Sequence, residues 1–131
     1  MIYINMKPED QKRCKDMVRF FCEEIGTDAE NEILSRINEG KEVIIAAQNG
    51  SIIGAIGFYI LDDKAIGDFF YVSPKYRNHM IGGKLHKEAC KEIKRRGLKK
   101  MIVFVHEKRL NLYTKLGYQH KLHILEKEVE A

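Results

Sequence analysis

Cysteine is scarce in this 131-residue chain: Cys14, Cys22 and Cys90 are all it has. An odd count, with no CxxC pair and no matching histidine spacing, excludes a disulfide framework and argues against a zinc site, so no metal is expected. Cys14 and Cys22 fall on one amphipathic stretch and are read as buried free thiols. Long apolar runs are also missing. Segments such as 43–47 are far too short to span a bilayer, which argues against a membrane partner. The opening residues Met1-Ile2-Tyr3-Ile4-Asn5 lack the basic and apolar regions of a signal peptide, and a cytoplasmic location is the expectation. Low-complexity stretches, linkers and repeats are absent too. At this length the chain reads as a single domain over 1–131, able to bury about two thirds of its unfolded surface. The net charge of +4 lies largely between Lys84 and Lys100 and favours phosphate-bearing partners. Glu88 and Glu92 interrupt that positive face, so a solvated helix explains it as well and no nucleic-acid partner is expected.

What is present is punctuated clearly. Residues 2–5 alternate and predict an opening strand. Pro8 with Glu9-Asp10 suits the first turn of a helix on which Cys14, Met17, Val18, Phe21, Cys22 and Ile25 recur at helical spacing, closed by Gly26. Thr27 and Glu30 form a capping-box pattern before Ile33, Leu34 and Ile37. Two β-rich runs, 43–48 and 51–60, flank Asn49-Gly50, a strong hairpin signal. After a turn at 61–64, a third strand over 65–72 must end before Pro74, which cannot donate to a ladder. Residues 82–96 predict a helix with Leu85, Ala89 and Ile93 on one face and Gly97 as its stop. A strand over 100–105, a short helix over 110–116 and a final strand over 122–129 complete the reading, with a further short strand at 118–120. The order β-α-α-β-β-β-α-β-α-β predicts a mixed α/β fold: a mostly antiparallel sheet, a right-handed parallel β-α-β crossover and flanking helices.

The chemistry concentrates in Val72-Ser73-Pro74-Lys75-Tyr76-Arg77-Asn78-His79-Met80-Ile81-Gly82-Gly83-Lys84-Leu85. A strand stops, a basic residue follows, and a glycine pair opens a helix. Unpaired amides at the helix start create a positive field, glycine lets a ligand approach the backbone, and Arg77 can contact an anion in two-pronged fashion. This suits a pyrophosphate, though a tight strand-to-helix turn with no ligand has the same local pattern.

The segment resembles the acetyl-CoA signature of the GNAT acyltransferases, in which a V-x-P-x-x-R-like turn leads into R-x-x-G-x-G/A and an amphipathic helix. Val72, Pro74, Arg77, Gly82, Gly83 and Leu85 match, whereas Met80 stands where the family usually has glycine. Downstream, Leu112-Tyr113-Thr114-Lys115-Leu116-Gly117-Tyr118 resembles the family's L-Y-x-K-x-G-F portion. His106 replaces its usual asparagine and Arg109 its usual small residue.

The resemblance implies that the strands flanking the crossover helix splay apart around a pantetheine arm held by main-chain groups of Phe70, Tyr71 and Val72. The phosphate turn would comprise Arg77, Asn78, His79, Met80, Ile81, Gly82, Gly83 and Lys84, with His106 as a further coenzyme A contact. Tyr113 is the candidate general acid. Asp68 is the first choice for a base, alongside attack through a water chain or another residue. If the third strand alternates strictly, Asp68, Phe70 and Val72 share a face, and Asp68 could equally be a hydrogen-bonded structural acid. His86, His120 and His123 are read as surface or strand residues without a role. The implied activity is transfer of acetyl from acetyl-CoA directly to a primary amine of a small molecule or peptide, without an acyl-enzyme, since neither motif holds a cysteine. The alternative is a coenzyme A-binding module that has lost catalysis, which the departures at Met80, His106 and Arg109 motivate. Homodimers through C-terminal strands occur among relatives.

Overall fold

A computed structural model describes residues 1–6, 15, 18–19, 22–23, 31, 34–35, 37, 39, 41–49, 51–77, 80–121 and 125–129. Its sheet has five strands in sequence order: β1 (Ile2–Met6), β2 (Glu42–Gln48), β3 (Ser51–Leu61), β4 (Lys64–Val72) and β5 (Met101–Ile102). The first four form an antiparallel meander, and β5 joins β4 in parallel. The hairpin signals act where expected. Gln48 pairs with Ser51 and Leu61 with Lys64, and Asn49 and Asp62 take φ of 51° and 55°. Asn and Asp tolerate that left-handed turn geometry better than other non-glycine residues.

Each sheet face carries its own apolar core. On one, Met6, Val43, Ile45, Ala47, Ile52 and Ala55 pack with Val18, Cys22, Leu34 and Ile37, which are helical. Cys22 is a buried free thiol there, as expected, whereas Cys90 is exposed. On the other, Ile44, Ala46, Ile53, Ile56, Phe58 and Ala65 meet Ile81, Leu85, Ala89 and Ile93 from helix α1 (Ile81–Arg95). The four-residue spacing of that apolar stripe is what commits 81–95 to a helix lying on the sheet. Past its end, Gly97 (φ +78°) donates to the Lys94 carbonyl at 2.9 Å and Leu98 to the Ile93 carbonyl at 3.1 Å. This Schellman closure turns Leu98 back onto the core that Ile93 occupies.

Three sequence expectations need correction. The strand expected over 100–105 pairs only at Met101 and Ile102, because β4 and the following chain then part. The strand expected over 122–129 is not formed at 125–129, where Leu125 and Val129 are 95% and 89% exposed. Two apolar residues four apart among charges supply no period-two face to bury. Residues 118–120 are not a strand either. Among the described residues no helix is long and apolar enough to cross a membrane.

Candidate active site

The parting of β4 from the chain beyond β5 makes the site. Pairing in β3–β4 steps from Gly57 opposite Phe69 to Phe58 opposite Gly67, so Asp68 is the extra residue of a β-bulge. A bulge bends its strand and ends the simple alternation of side chains. The change of parity is visible in the packing: Ala65 shares the α1-side core with Phe70 and Val72. Phe69 and Tyr71 pack on the opposite core, their rings stacked at 5.7 Å. Strict alternation through Asp68, assumed from sequence, therefore fails at that residue.

Backbone direction beyond the bulge follows from one bond. The Ser73 N–H donates to the Ile53 carbonyl at 2.8 Å, so in the antiparallel ladder Tyr71 also turns its main chain toward β3. Phe70 and Val72 consequently present theirs to the open side. The Val72 carbonyl does accept there, from Arg77 Nε at 3.2 Å. That bond folds the exposed Arg77 back against the strand end, after the single 3₁₀ turn at Pro74–Tyr76. Met80, the N-cap of α1, sits at φ 63°, with its side chain 76% exposed. The left-handed backbone gives the physical reason why glycine suits that position; Met80 adopts it with its side chain turned to solvent.

The two glycines after it differ in kind. A Cβ on Gly82 would stand 3.4 Å from the Phe70 ring, so Gly82 lets helix and strand pack. A Cβ on Gly83 would meet nothing within 4 Å. The first helical bond runs from the Lys84 N–H to the Met80 carbonyl, so the amides of residues 81–83 have no partner within the helix, a geometry suited to an anion. Asn78 and His79 lie outside the described residues.

Between β4 and the chain after β5 runs an open cleft of about 350 Å³, solvent at its mouth included. Asp68 and Phe70 line it from β4, Val103 and Phe104 from the far side, His86 and Tyr113 from the helices, and Tyr118 from the chain just past the second helix. Tyr113 lies on α2 (Leu110–Lys115). Burial pushes its phenol above the ordinary value, with Arg109 opposing, so the hydroxyl keeps its proton at neutral pH. A second Schellman closure ends α2: Gly117 (φ +98°) donates to the Thr114 carbonyl and Tyr118 to that of Tyr113, at 3.1 and 3.0 Å. The motif brings its flanking side chains together, and Tyr118 lies edge-on to Tyr113 with centroids 5.5 Å apart. His106 caps the turn before α2, its Nδ1 accepting from the Lys108 N–H at 3.2 Å.

His86 is the residue sequence reasoning missed. Read as a surface position of the long helix, it is instead half-buried in the cleft wall, and its Nε2 lies 2.8 Å from the Tyr118 hydroxyl. The available signal was the row Gly82, His86, Cys90, one step round the helix from the apolar stripe. No group of residues able to hold a metal ion occurs among the described residues.

A bulged strand diverging from its parallel neighbour, an open helix start beside it and a phenol at the gap define a nucleotide-thioester acyltransferase architecture. The chain belongs to the acetyltransferase (GNAT) family, whose model matches residues 10–118. No curated protein matches by sequence. Solved structures share the fold. An aminoglycoside acetyltransferase from an uncultured soil metagenomic sample aligns with a TM-score of 0.76 at 15% identity, covering 98% of each chain. A ribosomal-protein-alanine N-acetyltransferase from Brucella melitensis biovar Abortus gives 0.76 at 13%, covering 98% of this chain and 100% of its own. A predicted acetyltransferase from Clostridium acetobutylicum, solved with acetyl-CoA, gives 0.70 at 19%, covering 97% and 95%.

Proposed function

We propose that this chain, as a single domain, is an acetyl-CoA-dependent N-acetyltransferase that passes acetyl directly to a primary amine. The observation that carries the reading is the cleft itself, where the Tyr113 phenol and the outward main chain of Phe70 share one gap. Beyond the end of β4, the free amides at the start of α1 and the nearby Arg77 suit a diphosphate. His106, already engaged as a cap, would hold the turn that presents Tyr113.

In this reading a β4 amide polarises the thioester carbonyl as negative charge develops on its oxygen. The amine forms its bond to the carbonyl carbon, the carbon–sulfur bond breaks, and Tyr113 gives its proton to the departing thiolate. Asp68, at the bulge and in the cleft wall, is the first candidate to accept the proton the amine loses. The acceptor is a small-molecule or peptide amine entering an open cleft; an aminoglycoside acetyltransferase and a ribosomal-protein-alanine N-acetyltransferase among the structural neighbours are in keeping with either.

The test is thioester consumption over a panel of amines, wild type beside Tyr113→Phe. A loss of about 10²-fold in kcat with the KM for acetyl-CoA little changed is expected from removing one general acid. Binding of acetyl-CoA without turnover in the wild type would favour an inactive coenzyme A-binding module instead, a reading to which the exposed left-handed Met80 lends some support.

A further inference from the structure

We infer that His86 is a positioning residue for the proposed transfer: by bonding the Tyr118 hydroxyl it holds that ring against Tyr113 and so sets the direction of the Tyr113 phenol. The inference rests on the acyltransfer reading and adds to it His86, a residue outside the motif that holds Tyr113 and Tyr118.

The geometry runs in three steps. Main-chain bonds at the end of α2 bring Tyr118 beside Tyr113, but they leave both rings free to rotate about their side-chain torsions. The Tyr113 hydroxyl has no hydrogen-bond partner among the described residues, so its aim depends on the ring packed against it. That ring is Tyr118, met edge-on at 83°, and its far end is held by His86 Nε2 at 2.8 Å. The imidazole also packs on the Tyr118 ring at 5.4 Å, so contact and hydrogen bond restrain the same ring. His86 itself cannot drift, because Leu85 and Ala89 on either side of it are fully buried against the sheet.

Burial lowers the proton affinity of His86, which keeps the imidazole neutral near pH 7, with one N–H and one lone pair, so Nε2 pairs with the Tyr118 hydroxyl as acceptor or donor according to its tautomer. A half-buried hydroxyl and imidazole cost desolvation that a phenylalanine–leucine pair would avoid. What the polar pair adds is direction, which apolar packing does not supply.

Kinetics of His86→Leu, Tyr118→Phe, the double variant and His86→Gln test this, with thermal midpoints recorded for each. Each of the first two is expected to lower kcat by roughly 10-fold while leaving the KM for acetyl-CoA within about two-fold, as for a misaimed proton donor. The double variant should be no slower than either single one, because both remove the same bond. His86→Gln, whose side-chain amide can still meet the phenol, should recover most of the rate. A purely structural pair would lower the thermal midpoint and leave kcat alone. Full kcat in Tyr118→Phe with an active wild type overturns this inference and leaves the function standing; so do losses that multiply in the double variant. A wild type inert toward every amine overturns the function and this inference together.

Discussion

At the scale of single residues, the site depends on side chains that are absent as much as on those present. Gly57 stands opposite Phe69, and a Cβ there would fall 2.4 Å from the Phe69 ring, which is stacked on Tyr71. The ring cannot swing away without breaking that stack, so Gly57→Ala should destabilise the fold by about 1–3 kcal/mol, the usual cost of overpacking. Urea unfolding would show it as a lower midpoint at unchanged slope; a midpoint equal to wild type would refute the packing argument. Such residue-level demands were partly legible in the sequence. The glycine pair, Arg77 and the Leu-Tyr-x-Lys-x-Gly-Tyr run announced themselves because backbone needs and helix closure impose fixed residue types. His86 did not, since a histidine beside an apolar stripe reads equally as exposed or buried until the sheet beneath it is placed. Nor did the break at Asp68, whose one mark is the glycine before it, and a glycine within a strand signals a close backbone approach as readily as a bulge.

At the scale of elements, α1 connects the two ends of the molecule's chemistry. Its start faces the open space at Gly83, and its last turn is tied to the far strands. Asn5 Nδ2 donates to Glu42 at 2.8 Å, Glu42 meets Arg96, and Arg96 Nε meets Glu92 at 3.1 Å. Glu42 is only 6% exposed, so the arrangement staples the helix end to β1 and β2. Hydrogen bonds, first from Arg95 and then from Arg96, hold the Glu92 carboxyl down at about 2, against an ordinary 4.5. A carboxylate lowered on folding stabilises fully above its unfolded value and loses that contribution as pH falls through the folded one. Wild type should therefore lose stability from this group between about pH 4.5 and 2. Because Arg95 is largely exposed, the contribution is on the order of 1 kcal/mol. Glu92→Gln should unfold at lower urea at pH 7, and its difference from wild type should vanish near pH 2. A constant difference across that range would show that the charge plays no part. The helices, the hairpins and the crossover were readable from periodicity and turn residues. The length of β5 was not, because its pairing ends where β4 bends, and that is a property of two strands together.

At the scale of the whole molecule, the strongest test asks whether the start of α1 serves a ligand. Gly83 allows the question to be put without disturbing the protein. A side chain there meets no neighbour, and leucine is the better helix former, so Gly83→Leu should match or exceed wild-type stability by about 0.5 kcal/mol in the absence of ligand. Saturation with acetyl-CoA at about 100 times its Kd stabilises a binding protein by about 2.7 kcal/mol. For a chain of this size that corresponds to a rise of roughly 10 °C in Tm. Wild type should show the rise in a thermal scan, and Gly83→Leu should lose most of it, since the leucine would occupy the space in front of the α1 amides. Gly82→Leu makes the contrast: crowding the Phe70 ring, it should lower Tm with or without acetyl-CoA. An undiminished ligand shift in Gly83→Leu would place the diphosphate elsewhere, and the α1 start would then be a strand-to-helix turn and nothing more.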